Sequence, residues 1–346
     1  MSHTPTAHRL LMTASVLVAI SVPLGAATPE APPPETSPVP PGAAPSGVAE
    51  APELLLFQEV PSVLGAAKYE QTARDAPASV TVITAEDIAL YGYTNLAEIL
   101  RTQRSFYLFS DGMWTFAGVR GFMRPGEWNA RILVLVDGRP TREPIYGMTH
   151  LDREMIVPVE NIKRLEIIRG PGSALYGSNA VFAVVNIITR DGADVDGMEL
   201  KGQFGNQYTA RGVATFGKRL DNGLDVLFSA ARFTSRGDDD IHYPGVDDPA
   251  LDYGHMRDSD YEGAGALFLK AAWGDLTLEL NYQKRNTDNA SALYQTWWYN
   301  SGQSEEERFG VALRLDHQID RDRSLHATVS FNRYDYEEYS AYDGGV

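Results

Sequence analysis

Cysteine is absent from this chain, which removes thiol nucleophiles, iron–sulfur clusters, thiolate-held zinc and disulfide staples together. Its absence leaves the redox compartment open. Positive charge is scarce as well: 30 Lys and Arg stand against 46 Asp and Glu, a formal charge of −16. Such a chain repels the phosphate backbone that nucleic-acid binders neutralise with clustered bases, so nucleic acid is not expected as a partner. No apolar run reaches the length of a membrane-spanning helix, and any passage through a bilayer is therefore by strands. There is no G-x-S-x-G, no H-E-x-x-H and no phosphate-loop motif, and the seven His show no paired metal spacing. What is present is room: 346 residues exceed one compact core at roughly 150 residues per domain.

The amino terminus is punctuated. His8 and Arg9 precede the apolar run Leu10–Leu24, and Gly25, Ala26 and Ala27 close it, the charge, apolar stretch and small-residue site of a secretory signal. Export with cleavage after Ala26 or Ala27 is expected, so residues 1–27 are read as a leader. Residues 28–52 are mostly Pro, Ala, Glu, Ser and Gly, a composition that cannot bury enough apolar surface to offset its ordering entropy. They read as an extended tether. Leu54, Leu55, Leu56 and Phe57 follow and either pack on the next domain or form an exposed handle for a partner.

From about residue 70 the pattern mixes helix and strand. Thr81-Val82-Ile83 reads as a strand, and Thr84 with Asp87 three residues on predicts a capped helix start; Asn95 with Glu98 predicts a second. Ile132–Val136 is a continuous apolar run closed by Asp137-Gly138, a strand and tight turn. Leu165–Arg169 and Val184–Thr189 are further strands. These elements predict a small α+β domain. The loop Gly170-Pro171-Gly172-Ser173-Ala174-Leu175-Tyr176-Gly177 invites a dinucleotide reading, which its spacing refuses: Leu175 stands where a third glycine is needed, and Pro171 lacks an amide hydrogen. Turns that bring backbone close to backbone are the simpler reading.

Val119-Arg120-Gly121-Phe122, then Leu133-Val134-Leu135-Val136-Asp137-Gly138-Arg139, then Ile167-Ile168-Arg169-Gly170-Pro171-Gly172-Ser173-Ala174-Leu175-Tyr176-Gly177-Ser178-Asn179-Ala180, then Val185-Asn186-Ile187-Ile188-Thr189 resemble, in order and spacing, the plug domain of TonB-dependent outer-membrane receptors. Pro77–Thr84 looks like that plug's opening strand. The resemblance covers about residues 70–192, and it departs at Ala183-Val184, where family members commonly carry Gly. By resemblance, Arg120, Gly121, Asp137, Gly138, Arg169, Gly170, Gly172, Tyr176, Gly177 and Asn186 are plug residues with structural or gating roles. Arg169 is implied to lock plug to barrel through carboxylates on the wall.

After Gly197 the residues alternate. Met198, Leu200 and Phe204 interleave with polar neighbours, and Leu276, Leu278, Leu280 and Tyr282 interleave with Thr277, Glu279, Asn281 and Gln283. Runs of about ten residues suit tilted strands of an outer-membrane barrel, although a soluble sandwich alternates too. The links discriminate better. Strands near 198–205, 208–217, 224–233, 263–272, 276–284, 307–318 and 324–334 leave tight turns at Asn222-Gly223, Gly274 and Asp320, and longer links at Thr234–Glu262 and Arg285–Glu306. Tight turns on one side and long loops on the other are what such barrels require. Tyr294, Trp297, Trp298, Tyr299, Tyr334, Tyr336, Tyr339 and Tyr342 read as an interfacial girdle. Seven strands do not close a barrel wide enough for a plug, since the family it resembles uses about twenty-two. The expected fold is thus an α+β plug followed by the first strands, residues 197–346, of a truncated antiparallel transmembrane β-barrel, the amino-terminal part of a longer receptor.

The resemblance implies an outer-membrane receptor of a Gram-negative bacterium, not an enzyme, importing a scarce bulky ligand, most often a ferric siderophore. Its energy comes from the inner-membrane TonB protein. A cobalamin or other nutrient importer is the alternative within the family; a barrel enzyme or a non-transporting surface binder are alternatives outside it. The coupling handle is expected within 53–69, around Leu54, Phe57 and Val60, as a short apolar segment able to add as a strand to a partner's sheet. No cofactor is expected. The first long loop crowds aspartates, and Asp238, Asp240, Asp247 and Asp248 are its calcium candidates against a merely solvated acidic loop.

Overall fold

The computed structural model describes residues 12–21, 62–63, 71–72, 79–289 apart from 125 and 145, 302–320 and 323–339. The tether, Leu54, Phe57 and Val60 lie outside the described residues, as do Tyr294, Trp297, Trp298, Tyr299 and Tyr342. Ahead of the first domain stand β1 (Met12–Ser21) and a minimal antiparallel pair, β2 (Ser62–Val63) with β3 (Gln71–Thr72).

The first domain opens with β4 (Ser79–Thr84), which runs into α1 (Ala85–Tyr91). Thr84 accepts the Asp87 amide, and the Asp87 carboxylate reaches back to the Thr84 amide, a closed capping box that satisfies two otherwise orphaned donors. Helix α2 (Leu96–Arg101) begins at Asn95, whose side chain accepts the Glu98 amide. Glu98 itself reaches one residue further back than a capping box requires, to the Thr94 amide at 2.7 Å. After the hairpin β5 (Phe106–Ser110) and β6 (Thr115–Val119) come β7 (Ile132–Val136) and β8 (Arg139–Pro140). Asp137 and Gly138 join these last two with φ of 45° and 80°, the two positive values a two-residue primed turn demands. Strand β9 (Ile162–Arg169), the short helix α3 (Ser173–Tyr176), β10 (Ala183–Thr189) and α4 (Gly192–Val195) complete the domain. Its sheet has the order β4-β9-β10-β7-β8, with β10 parallel to β7 and antiparallel to β9. Such a mixed sheet is buried on both faces, which is why β7 reads as an unbroken apolar run and β10 as an apolar run interrupted only by Asn186 before its closing Thr189.

The second part is one antiparallel wall: β11 (Gly197–Phe204), β12 (Ala210–Arg219), β13 (Asp225–Ser235), β16 (Glu262–Trp273), β17 (Leu276–Asn289), β18 (Gly302–Gln318) and β19 (Ser324–Tyr339). All seven expected strands are present, and β17, β18 and β19 run further than the alternation suggested. Between β13 and β16 the long link folds its own small hairpin, β14 (Asp240–His242) with β15 (His255–Arg257). The links at 220–224, 274–275 and 319–323 are tight, and all three fall on one rim. At the β19 edge, β1 pairs antiparallel from Met12↔Arg333 to Ser21↔Ser324. An open edge presents a row of unpaired N–H and C=O groups, and β1 pairs with that row.

Register shows which face of the wall is which. One row crosses all seven strands as Met198, Phe216, Phe228, Leu269, Leu280, Val311 and Phe331. It faces away from the first domain, where Met198 is 68% exposed and Phe216 46%. The neighbouring row reads Glu199, Thr215, Ser229, Phe268, Asn281, Gly310 and Asn332; Thr215, Ser229, Phe268 and Asn281 are buried against the domain. Apolar outside and polar inside inverts a soluble sandwich and matches a wall between lipid and a filled lumen. The aromatic girdle is placed differently from the expectation. Tyr334 and Tyr336 point inward, Tyr334 to Glu306 and Tyr336 onto Trp114, whereas Trp273 stands on the outer face beside the tight-turn rim, its indole donating to the Asn222 carbonyl at 3.2 Å.

The outer row yields a test. Leu280→Arg puts a charge in the lipid-facing band and is expected to cost about 2–4 kcal/mol of barrel stability in bilayers, while Leu280→Val costs about 1 kcal/mol or less. Urea titration of vesicle-folded protein, read by the mobility of unheated samples on gels, measures both.

Candidate site between plug and wall

The sequence motifs of the first domain turn out to be its joints. Asp137 closes β7 by accepting from the Thr189 amide and hydroxyl of β10. Arg120 sits at φ 55° and Gly121 at 81°, and the Arg120 guanidinium donates to the Arg169 carbonyl at 3.2 Å. Gly170 has φ 143°, and Gly177 combines φ 75° with ψ −148°, conformations only glycine adopts without strain. At Gly172 the cause is contact: an added Cβ would lie 2.9 Å from Val184 Cγ2. The methyls at Ala183-Val184 are thus accommodated by a bare backbone opposite. Tyr176 packs on Leu133, Leu135, Ile168, Ala180 and Val184, and this burial, with Glu166 nearby, pushes its hydroxyl up to about 12. Asn186 donates to the fully buried Glu166 carboxylate at 3.3 Å.

Arg169 does not meet a wall carboxylate among the described residues. Its guanidinium donates to the Ser79 and Thr81 hydroxyls and the Arg104 carbonyl, all on the first domain. Partial burial, with Arg104 and Arg120 beside it, holds its pKa below the usual arginine range. The calcium candidates are not brought together either. Asp240 is taken by His255 at 2.8 Å and Arg257 at 3.4 Å, and Asp238 accepts from Gln207. No group of three acidic or His side chains converges on a metal position among the described residues.

What does join domain to wall is a set of ion pairs that sequence reading missed. At the tight-turn end, Lys270 lies 2.8 Å from Asp191 and 3.6 Å from Asp137, and Asp225 accepts the Gly192 and Ala193 amides that open α4. Arg211 grips Glu160 with two bonds of 2.6 and 2.8 Å. Arg139 of the Asp137-Gly138 hairpin pairs with Glu279 at 3.3 Å. Toward the long-loop rim, Arg285 donates to Glu262 at 2.8 Å and to the Met113 carbonyl at 2.7 Å, and it lies 4.0 Å from Glu154. Trp114 donates its indole N–H to Glu306 at 3.0 Å. His150, 2% exposed, stands 3.6 Å from Glu154 and 4.0 Å from Glu306. On the sequence side, the inward register of Glu279, Gln283 and Arg308 beside outward Leu278, Leu280, Tyr282 and Phe309 was the available signal, whereas Arg285 and Glu306 stand among Lys284, Asn286, Glu305 and Glu307 and carry none. Their partners lie more than a hundred residues upstream, where no local pattern marks them.

Charge in this cluster is tuned by position. Burial, reinforced by Glu154, raises the Asp152 carboxyl to about 6. Burial would raise Glu154 as well, but the Arg285 guanidinium and His150 together outweigh it and hold that carboxyl at about 2. Two carboxylates two residues apart are thus pushed in opposite directions, Glu154 by the cation and imidazole beside it and Asp152 by burial next to Glu154.

With this geometry in hand, comparison with known proteins is direct. Residues 72–184 match the TonB-dependent receptor plug domain. The iron-regulated outer membrane virulence protein of Vibrio cholerae is 36% identical over 133 residues, 37% of this chain and 20% of that protein. The ferric enterobactin receptor PirA of Pseudomonas aeruginosa is 40% identical over 145 residues, 38% of this chain and 19% of that one. The chain therefore spans about a fifth of the length of these relatives. Among solved structures, the ferric preacinetobactin receptor BauA of Acinetobacter baumannii aligns at TM-score 0.58 and 15% identity, covering 81% of this chain and 41% of that one. The pyoverdine receptor FpvA of Pseudomonas aeruginosa aligns at 0.57 and 17%, covering 80% and 40%. Both alignments run through plug and wall alike and show the shared fold. Residues 72–184 thus carry the plug domain of TonB-dependent receptors, and the chain shares with those solved receptors the fold of plug and wall.

Two outcomes are expected of the charge cluster. Arg285→Met leaves Glu154 and Glu262 without their cation and should cost about 3–5 kcal/mol; adding Glu154→Gln and Glu262→Gln should return most of it, as denaturant melts of the three proteins would show. The second concerns pH. The unfolded chain gives up the Asp152 proton near the ordinary carboxyl value of 3.8, the folded chain only near 6. Stability therefore falls as pH rises between these values. Asp152→Asn should flatten thermal midpoints across that window while leaving the loss between pH 4.5 and about 2, where the unfolded chain binds the Glu154 proton and the folded chain does not.

Proposed function

We propose that the protein imports a ferric siderophore across the outer membrane of a Gram-negative bacterium, with its plug released by an inner-membrane TonB partner. The observation that carries this reading is the inverted wall: an apolar row toward lipid, and a polar lumen filled by a domain held through ion pairs. A filled lumen blocks passive flow, and an outer membrane has no nucleotide to drive a gate. Energy must then reach the plug from the periplasm, on the side where its chain enters. The relatives' names, an enterobactin receptor and an iron-regulated outer membrane protein, support iron chelates as cargo.

Residues 1–27 serve as a cleaved leader and residues 28–52 as a tether. The segment 53–69, with Leu54, Phe57 and Val60, is the handle the partner pairs with as an added strand. The remaining motif residues keep the plug rigid, and Arg169, with Arg104 and Arg120 beside it, forms a cationic face for wall carboxylates.

In iron-starved cells producing the receptor, uptake of radiolabelled ferric enterobactin should stop with a proton uncoupler. It should also stop with Phe57→Pro or removal of residues 53–60, while surface binding of the chelate persists. Uptake that survives the uncoupler would remove the importer reading; uptake that survives Phe57→Pro would remove only the handle.

A further inference from the structure

A cavity of about 650 Å³ lies between the plug hairpin at Asp137–Pro140 and the inner faces of β17, β18 and β19. Its volume falls within the range of small-molecule sites. Arg308, 5% exposed, lines it from β18, flanked in register by Gln283 and Tyr334. One residue pair nearer the tight-turn rim, Asn281 and Asn332 flank Gly310, which leaves the wall bare where a Cβ would lie 2.7 Å from Asn281. Arg139 enters from the plug, bonded to Asn332 at 3.2 Å.

Among the residues that line the cavity, the polar atoms left over are all of one kind, whereas two unmet acceptors, Gln283 Oε1 and Glu306 Oε2, lie behind the lining. Arg308 Nε and Nη2, Asn281 Nδ2 and Arg139 Nε are buried and have no hydrogen-bond partner among the described residues. Each is an N–H donor. Of the nearby carboxylates, Glu279 is engaged by Arg139 and Arg314, and Glu306 accepts from Trp114 and Tyr334 through Oε1 while its Oε2 stands 4.0 Å from His150. The Arg308 guanidinium rests on the Tyr334 ring at 4.8 Å, a contact that orients the cation without supplying an acceptor. A buried cation with unmet donors is costly, so an acceptor in the cavity stabilises the arrangement. Donors from two plane-forming guanidinium groups and an amide suit a flat or tetrahedral oxyanion better than a lone halide.

We propose that this cavity is an internal subsite for an oxygen-rich anion, held by Arg308 and Asn281 from the wall and by Arg139 from the plug. Because one side is plug and the other wall, any plug movement changes the site, and the anion is bound only while the two remain docked. That the anion is an acidic iron chelate in passage rests on the importer reading; the site itself does not.

The test uses the purified receptor in detergent micelles, with citrate and inorganic phosphate as probes and glycerol as the neutral control. Calorimetry should detect both anions and no glycerol. Arg308→Gln should weaken them at least tenfold, and Arg308→Lys should hold them within about threefold. In the absence of anion, Arg308→Gln should melt no lower than the unaltered protein, since it removes an uncompensated charge. Equal anion binding by Arg308→Gln, no binding of either probe, or a large loss of stability in that variant would overturn the subsite. Citrate held more tightly than phosphate supports chelate cargo; phosphate held more tightly assigns the site to a free anion and overturns its link to import. Failure of import in cells with intact citrate binding would touch only the importer reading.

Discussion

The constraint on which the structure turns is that a lumen wall facing a protein plug must be polar and yet matched by the plug wherever the two touch. A lipid-facing strand fixes every second residue as apolar, so the other half of each strand is free to carry charge. Here it carries Arg211, Lys270, Glu279, Arg285, Glu306 and Arg308, most of them buried. Each such group loses its hydration on docking, and only a partner at hydrogen-bond distance repays that. Plug residues Asp137, Arg139, Glu154, Glu160 and Asp191 sit where those partners are needed. The primed turn at Asp137-Gly138 and the α4 entry at Gly192 are therefore positioned by the wall as much as by their own backbone preferences.

The apolar core is divided unequally. It is assembled almost wholly from plug residues, such as Leu100, Val134, Leu165 and Ile187, and only Leu227 and Phe268 reach it from the described wall. A plug with its own core is a unit that keeps its fold when contacts to the wall change. What joins it to the wall is electrostatic and directional, and water can take over those contacts one at a time as the groups separate. An apolar interface of the same area would offer no such substitution.

Much of this was legible in the chain before the structure. The Thr84–Asp87 cap, the β7 run with its Asp-Gly turn and the seven wall strands all follow from local chemistry with fixed spacing, and the structure has each of them. The inner and outer faces were written in the same alternation, as Asn281 between Leu280 and Tyr282 shows. What alternation could not say is which side an aromatic takes: Tyr334 and Tyr336 read as girdle residues yet point at Glu306 and Trp114, because the lumen here holds a plug for them to pack on. The aspartates of the first long loop read as ligands by density alone, but Asp240 is spent on His255 and Arg257 in the local hairpin. Arg169 stood out as a motif residue, while Arg285, which lies in no motif, ties the plug loop at Met113 to Glu262. Motifs record local backbone demands; docking contacts are long-range and leave only a residue type at an inward position.

The two carboxylates on the plug loop show how such docking carries direction. Glu154, nearest to Arg285, is held ionised far into acid, whereas Asp152 resists ionisation until about pH 6. Moving Arg285 away would remove the counter-charge that keeps Glu154 ionised in a buried position, leaving burial to raise it as burial raises Asp152. The carboxyl would then take up a proton or turn toward water, and either event disfavours return to the docked state until the cation is back. Separation of this loop from Arg285 would thus be linked to proton uptake at Glu154, which His150 also holds low, while the core that holds the loop lies on the plug's own side.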